Sequence, residues 1–230
     1  MDRHWWFRGR RAAVNGLLTR ARVPLGGDVL DVGCGPGHMG AALARYGRLT
    51  GVDSSAEAFE LGDHSAYARV LRAAGPADPA FPAGPFTLIA CLDVLEHVGD
   101  DAGFLAALAA LLAPAGRLVA SVPLRPELLG PTDVSAGHFR RYTPESLREA
   151  LAAAGLEVTA STGYVVALLP LAVAHRRRVA AGRSAEGLEH RVPPAPLNAA
   201  ASAVAVAEGA LARWVALPPG LSEIVVARRG

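Results

Sequence analysis

Short runs of consecutive apolar residues alternate along the chain with longer stretches whose apolar positions recur every three or four residues. "DVLDVG" (Asp28 to Gly33), "LTGVD" (Leu49 to Asp53), "FTLIACLD" (Phe86 to Asp93) and "GRLVASVP" (116–123) read as strands. The third lacks polar alternation, which predicts a strand buried on both faces. "LEVTAST" (156–162) and "LSEIVVARR" (221–229) are late strands. Between them, "GHMGAALARYG" reads as a helix ended by Gly47. "DAGFLAALAALLAP" places Leu105, Leu108, Leu111 and Leu112 on one helical face and stops at Pro114. Thr143 as N-cap, Pro144 in the first turn and Gly155 past the end bracket a further helix.

Strands alternating with helices predict an α/β fold, a mainly parallel sheet wound with helices on both faces. The rhythm breaks over 164–218. That stretch holds an apolar segment, "HRRR", a turn with Pro193, Pro194 and Pro196, and an Ala/Val-rich helix ending near Trp214. It reads as a helical insertion before the last strand. A packing hairpin, a homodimer contact, a lid over an apolar substrate and a peripheral membrane contact all fit that pattern. The whole chain, 1–230, reads as one domain with an N-terminal cap over 1–20.

Composition narrows the chemistry. Apolar residues make up 51%, ample for one core, and the formal charge is +2. All 23 basic residues are arginine, which excludes a Walker-type phosphate lysine and a Schiff-base lysine. The arginines are scattered, so no nucleic-acid partner is expected. Two cysteines, Cys34 and Cys91, make neither a disulfide framework nor a zinc site. The longest apolar stretch, Tyr164 to Ala174, is short of the ~20 residues a bilayer needs. These features read as a reduced, cytoplasmic protein.

"VLDVGCGPGHMG" carries the most information. A strand runs directly into Gly33, Gly35 and Gly37 and then toward a helix. Glycines permit a sharp turn and a close ligand approach, and a helix N-terminus offers free N–H groups. Twenty residues after Gly33 the second strand ends at Asp53, placed to grip both hydroxyls of a ribose. That pair suits a nicotinamide or an adenosyl cofactor. Asp31, just below the loop, favours a ligand with a positive amine and sulfonium and would repel a pyrophosphate.

With "GVDSS" and "LDVLEHV" at these spacings, the sequence resembles the class I S-adenosylmethionine-dependent methyltransferases, over roughly Trp5 to Ser161 with "GLSEIVVARR" fitting as well. The resemblance implies a Rossmann-like, doubly wound sheet of seven strands with an antiparallel last strand. It implies S-adenosylmethionine as cofactor and S-adenosylhomocysteine as product. It also implies cofactor contacts from Asp31, Gly33, Gly35, Gly37, Asp53, Ser54 and Leu92. One departure stands out: "AAGPADPAFPAGPF" offers Ala74 and Gly75 where the family usually carries the adenine-binding carboxylate, and Asp78 is out of register.

"LDVLEHV" and the N-terminal "HWWFRGRR" are similar to ubiquinone-type O-methyltransferases. That likeness implies a closing segment in which Trp5, Trp6 and Phe7 pack over the cofactor and substrate and Arg11 clamps the cofactor carboxylate. An amphipathic helix covering the sheet edge is the plainer alternative. Methyl transfer to a hydroxyl calls for a base. His138 and His97 are the candidates, both expected near C-terminal strand ends, with Asp133 and Tyr142 beside His138 as acceptor contacts. Asp93, Glu96 and His97 form no diagnostic metal spacing, so no metal is expected. The expected function is methyl transfer to a small, lipophilic acceptor, with O-methylation foremost. Two alternatives remain: a nicotinamide-dependent oxidoreductase and a non-catalytic cofactor-binding module.

Overall fold

The computed structural model describes residues 4–182 and 192–230. Part of the 1–20 cap (1–3) and of the 164–218 insertion (183–191) therefore lies outside the described residues. Helix α1 (Trp5–Arg20) leads into β1 (Asp28–Val32), α2 (Gly40–Leu43), β2 (Arg48–Asp53), α3 (Ala56–Leu61) and β3 (Arg69–Arg72). Then follow β4 (Phe86–Leu92), α4 (Asp101–Ala110), β5 (Leu112–Pro123), α5 (Pro131–Ser135), α6 (Pro144–Ala153) and β6 (Leu156–Tyr164). Helices α7 (Leu169–Ala180) and α8 (Ala195–Leu211) precede β7 (Ser222–Arg229).

The strands form one seven-stranded sheet in the order β3-β2-β1-β4-β5-β7-β6. Strand β7 runs antiparallel to both its neighbours, and the pairs β3–β2, β2–β1, β1–β4 and β4–β5 are parallel. This is the expected topology. The strand order reverses between β1 and β4, so the crevice for a ligand opens above their C-terminal ends. Strand β4 is central and buried along nearly its whole length, as its unbroken apolar run requires. One core cluster fills each face, one around Leu105, Leu147 and Ile89, the other around Leu17, Leu43 and Leu88.

Two local expectations change, and one strand was not expected. The helix read over "GHMGAALARYG" shrinks to α2 and a 3-10 turn at Ala44–Tyr46, because residues 37–39 are drawn into the glycine loop, where Gly40 N–H donates to Gly37 O. Helix α4 stops at Ala110 rather than at Pro114. Leu112 already pairs with Phe86 in β5, and Pro114 sits in the irregular stretch before Arg117 pairs with Leu88, where a missing N–H costs no ladder bond. Strand β3 escapes a hydrophobic-pattern reading because it is a short edge strand with arginine at both ends. The α6 expectation holds: the Thr143 side chain accepts from Ser146 N–H, Pro144 opens the helix, and Gly155 follows it with φ +72°.

Helix α1 lies against α8 of the insertion. A Cβ on Gly9 would stand 2.5 Å from the Ala205 Cβ, and one on Gly209 would stand 2.6 Å from the Ala13 amide nitrogen. Only glycine permits that approach. Asn198 on α8 accepts from Trp5 N–H at 3.0 Å, so the insertion holds the start of α1 in place.

Candidate functional site

Strand β1 hands the chain to the loop at Gly33, where Gly33 N–H and Cys34 N–H donate to Val52 O on β2. Gly33, Gly35 and Gly37 adopt φ of +71°, +50° and +84°, a region side chains strain to reach. At Gly37 a Cβ would fall 2.2 Å from Asp63 O, whereas above Gly35 it would meet open space. The loop therefore turns tightly on one side and leaves bare backbone toward the crevice. Asp53, at the end of β2, accepts from Gly35 N–H and Ser55 N–H, both at 2.8 Å. Its carboxylate fixes the loop as well as marking the strand end. Ser54 contributes its carbonyl to Arg72 instead of facing the crevice cavity.

Asp31 lies at the floor of the crevice and is 3% exposed. Burial pushes its carboxyl up to about 6, against the opposing pull of the Tyr67 hydroxyl, which donates at 2.7 Å, and of the Arg10 charge. A buried anion with little compensation is an energetic cost, and a cationic ligand group offsets it.

Helix α1 forms the roof. Phe7 and Arg10, one turn apart, line a cavity of about 300 Å³ with Asp31, Gly33, Gly35, Leu92 and Asp93. The Phe7 ring lies 4.2 Å from His38, centroid to centroid, closing α1 onto the loop. The Arg10 guanidinium lies over Phe7 at 5.4 Å and donates to Asp93. The arginine lining the cavity is thus Arg10, not Arg11, which stands about 100° further round the helix. The tryptophans also lie off the cavity wall. Trp6 packs edge-on against Tyr164 at 5.1 Å, and its carbonyl accepts from the Tyr164 hydroxyl. Trp5 packs against Trp6 and the core around Leu17.

The two histidines do meet. His97 and His138 stand edge to face, 4.6 Å apart. Asp133 Oδ1 faces His138 Nδ1 at 3.2 Å. Burial and the neighbouring His138 lower the pKa of His97. The expectation that Asp133 and Tyr142 touch an acceptor is not met. Asp133 is 1% exposed and holds Arg141 at 2.7 Å and Arg176 at 2.9 Å. Tyr142 is equally enclosed, with its hydroxyl donating to Asp101 at 2.7 Å. Both brace the wall from behind. Glu96, His97 and His138 each place one candidate ligand atom within 4.8 Å of the others. That group joins Glu96–His97 to a residue some forty positions away, which sequence spacing does not reveal.

Phe7, expected over the cofactor, does line the cavity, and Asp93, weighed only as a metal ligand, stands on its wall. Arg10, His38 and Tyr67 were outside the sequence-derived site; the three-residue spacing of Phe7 and Arg10 on one helix is the signal that could have located Arg10. A wider open groove, lined by Arg20, Arg148 and the first half of the edge strand β6, lies away from the C-terminal strand ends. Among the described residues no helix is long and apolar enough to cross a membrane.

Residues 4–161 match the family model described as a methyltransferase domain. A ubiquinone biosynthesis O-methyltransferase of Xylella fastidiosa is 43% identical over 107 residues, 44% of this chain and 44% of that protein. The chain thus spans about half the length, or less, of the curated relatives it matches. A solved S-adenosylmethionine-dependent methyltransferase from Clostridium acetobutylicum aligns over 97% of this chain and 92% of its own, with TM-score 0.61 and 11% identity. The cyclase SpnF aligns over 96% and 81%, with TM-score 0.60 and 20% identity. These two likenesses concern the fold, which hosts more than one chemistry.

Proposed function

Because the chain belongs to the methyltransferase-domain family, we propose that it transfers a methyl group from S-adenosylmethionine to a hydroxyl of a small, lipophilic acceptor. The cofactor is S-adenosylmethionine, and S-adenosylhomocysteine is released. The observation that carries the reading is the cavity in which a buried anion, Asp31, and a guanidinium, Arg10, flank a glycine loop with bare backbone at Gly35.

The residues fit the cofactor's charges. Asp31 suits the amine, Arg10 suits the carboxylate as a planar fork, and Asp53 stands at the strand end where ribose hydroxyls are gripped. When bound, S-adenosylmethionine supplies an activated methyl group on a sulfonium. The chain's own contribution is positioning and exclusion of water. Phe7 and His38 close α1 over the loop. Leu92 and Asp93 form the wall at the end of β4. His138, beside Asp133, takes the hydroxyl proton, and His97 packs against its ring.

Hydroxyl acceptors follow from the need for a base, which a thiol or amine of low pKa would not impose. Isothermal titration with S-adenosylmethionine, followed by transfer of labelled methyl to a panel of phenols and catechols bearing alkyl tails, tests the reading. Tight cofactor binding with methylated phenol supports it. No cofactor binding by folded protein overturns it.

A further inference from the structure

Helix α8 is apolar on the side it shows to solvent. Its inner face carries Ser202, Ala205, Glu208 and Gly209, packed toward α1. Glu208, its one charged side chain, turns inward to accept from Val166 N–H and Ala167 N–H. Across the outer half of the circumference stand Leu197, Val204 and Leu211, flanked by exposed alanines at 199, 200, 203, 207 and 210. Beyond the last turn, Trp214 is 72% exposed. A helix with its charge inside and an unbroken apolar face outside is the reverse of an ordinary surface helix.

We propose that this face pairs with the same face of a second copy, α8 against α8 in antiparallel orientation about a two-fold axis. The spacing supports one arrangement. Leu197, Val204 and Leu211 recur every seven residues, and Ala200, Ala207 and Trp214 recur every seven residues three positions later. These are the two core positions of a heptad. In an antiparallel pair each layer joins one position of either kind. With the axis passing between Ala205 and Val206, Val204 meets Ala207 and Ala200 meets Leu211, and Leu197 faces the turn that carries Trp214 past the partner's last helical residue. The four central layers then each join a large residue to a small one, giving even filling. A parallel pair would set Leu on Leu and Ala on Ala, alternating crowding with voids.

A lipid surface fits less well. Six of the ten exposed residues within the helix are alanine, which insert little apolar volume, while small side chains let two helices approach closely. The opposite face of α8, where an interfacial helix carries its lysines and arginines, is packed on α1. A 17-residue helix offers a contact about 25 Å long. At a helix width of about 10 Å that is roughly 250 Å² per partner, well short of the ~800 Å² of a standard stable interface, so the pairing is expected to be weak and reversible.

Sedimentation equilibrium from about 1 to 500 µM should show a monomer–dimer equilibrium. Val204→Glu, an exposed change that leaves the monomer fold untouched, should weaken it at least tenfold. A short bis-maleimide should join two copies of Val204→Cys, whose positions lie about 4–5 Å apart along the axis, and should fail with Leu197→Cys, about 25 Å apart. The native cysteines Cys34 and Cys91 are buried and serve as silent background. A monomer at every concentration, a dimer indifferent to Val204→Glu, or ready linking through Leu197→Cys would overturn the proposal. So would a monomer that binds anionic vesicles through this face.

Discussion

The guanidinium of Arg10 on α1 reaches the carboxylate of Asp93 beyond β4, Nη1 to Oδ2 at 2.5 Å, spanning the cavity between roof and wall. Asp93 is itself held from behind by the Ser121 hydroxyl at 2.6 Å and adopts φ +57°, unusual for a residue with a side chain. The contact ties α1 to the sheet. A cofactor carboxylate would compete for the same guanidinium.

Arg10→Ala should therefore weaken S-adenosylmethionine far more than adenosine, which has no carboxylate. Loss of a charge-assisted pair costs on the order of 1.5–3 kcal/mol, at least about tenfold in Kd. Arg11→Ala, one position off the cavity wall, should change the two ligands alike and by less than threefold. Calorimetric titration of both variants with both ligands decides it. Equal losses for Arg10→Ala would return the helix to a purely structural part.

Asp53→Asn tests the ribose grip and the loop together. Its carboxylate accepts from Gly35 and Ser55 N–H groups, so an amide, with one accepting oxygen, loses one of those bonds. S-adenosylmethionine and adenosine should both weaken by about tenfold or more. A ratio unlike that of Arg10→Ala is the distinguishing sign. Affinity unchanged in a folded variant would remove Asp53 from the site.

Asp31 makes a pH prediction with a definite sign. Burial raises its folded pKa to about 6 from an ordinary 3.8. The folded state therefore holds a proton that the unfolded state has lost, and this contribution to stability, full below pH 4, disappears as pH rises through 6. Above pH 6 the ionised carboxylate costs the protein about 2–3 kcal/mol. Asp31→Asn should raise the melting temperature of the ligand-free protein at pH 7.5 and have little effect at pH 4.5. Cofactor binding by the wild type should weaken as pH falls below 6, because the amine loses its anion, and the variant should lose that dependence. Calorimetry across pH 5 to 8 reads both. A variant that binds as well as wild type at pH 7.5 defeats the assignment.

The sheet was legible wherever burial was continuous. "FTLIACLD" had to be a central strand, and "VLDVGCGPG" had to be a strand meeting a loop. β3 was not, because an edge strand between two arginines buries too little to leave a pattern. The proposed cofactor side of the site, Asp31 to Asp53, lies in one continuous stretch from β1 through the glycine loop and α2 to β2, and local spacing carries it. The roof does not follow that logic. Whether Arg10 or Arg11 faces the loop depends on how α1 docks against α8, a contact between segments nearly 200 residues apart. The same holds for Asp133: its residue type suggested chemistry, while its two arginine partners, one of them on α7, show that it is enclosed.

The His138–Asp133 pair supports a last prediction with two separable parts. Asp133 is held below the usual carboxylate range; burial opposes this, but His138, Arg141 and Arg176 outweigh it. A depressed pKa contributes stability that is present above pH 4 and lost as pH falls through the folded value. Asp133→Ala leaves two guanidinium groups without their shared anion and should cost about 3–5 kcal/mol. It should lower the melting temperature at pH 7 much more than at pH 2. His138→Ala removes an imidazole beside Asp133, but Arg141 and Arg176 still hold that carboxylate, so the fold and the cofactor affinity should stay close to wild type. If His138 takes the acceptor proton, turnover should drop by roughly 10²–10⁴. The loss should shrink as pH rises and the acceptor ionises unaided. His97→Ala should cost less, since that ring packs against the base rather than replacing it. Single-turnover rates for both variants between pH 6 and 9, on an acceptor found in the phenol panel, make the comparison. Full turnover by His138→Ala across that range would leave positioning by α1 and the β4 wall to carry the reaction.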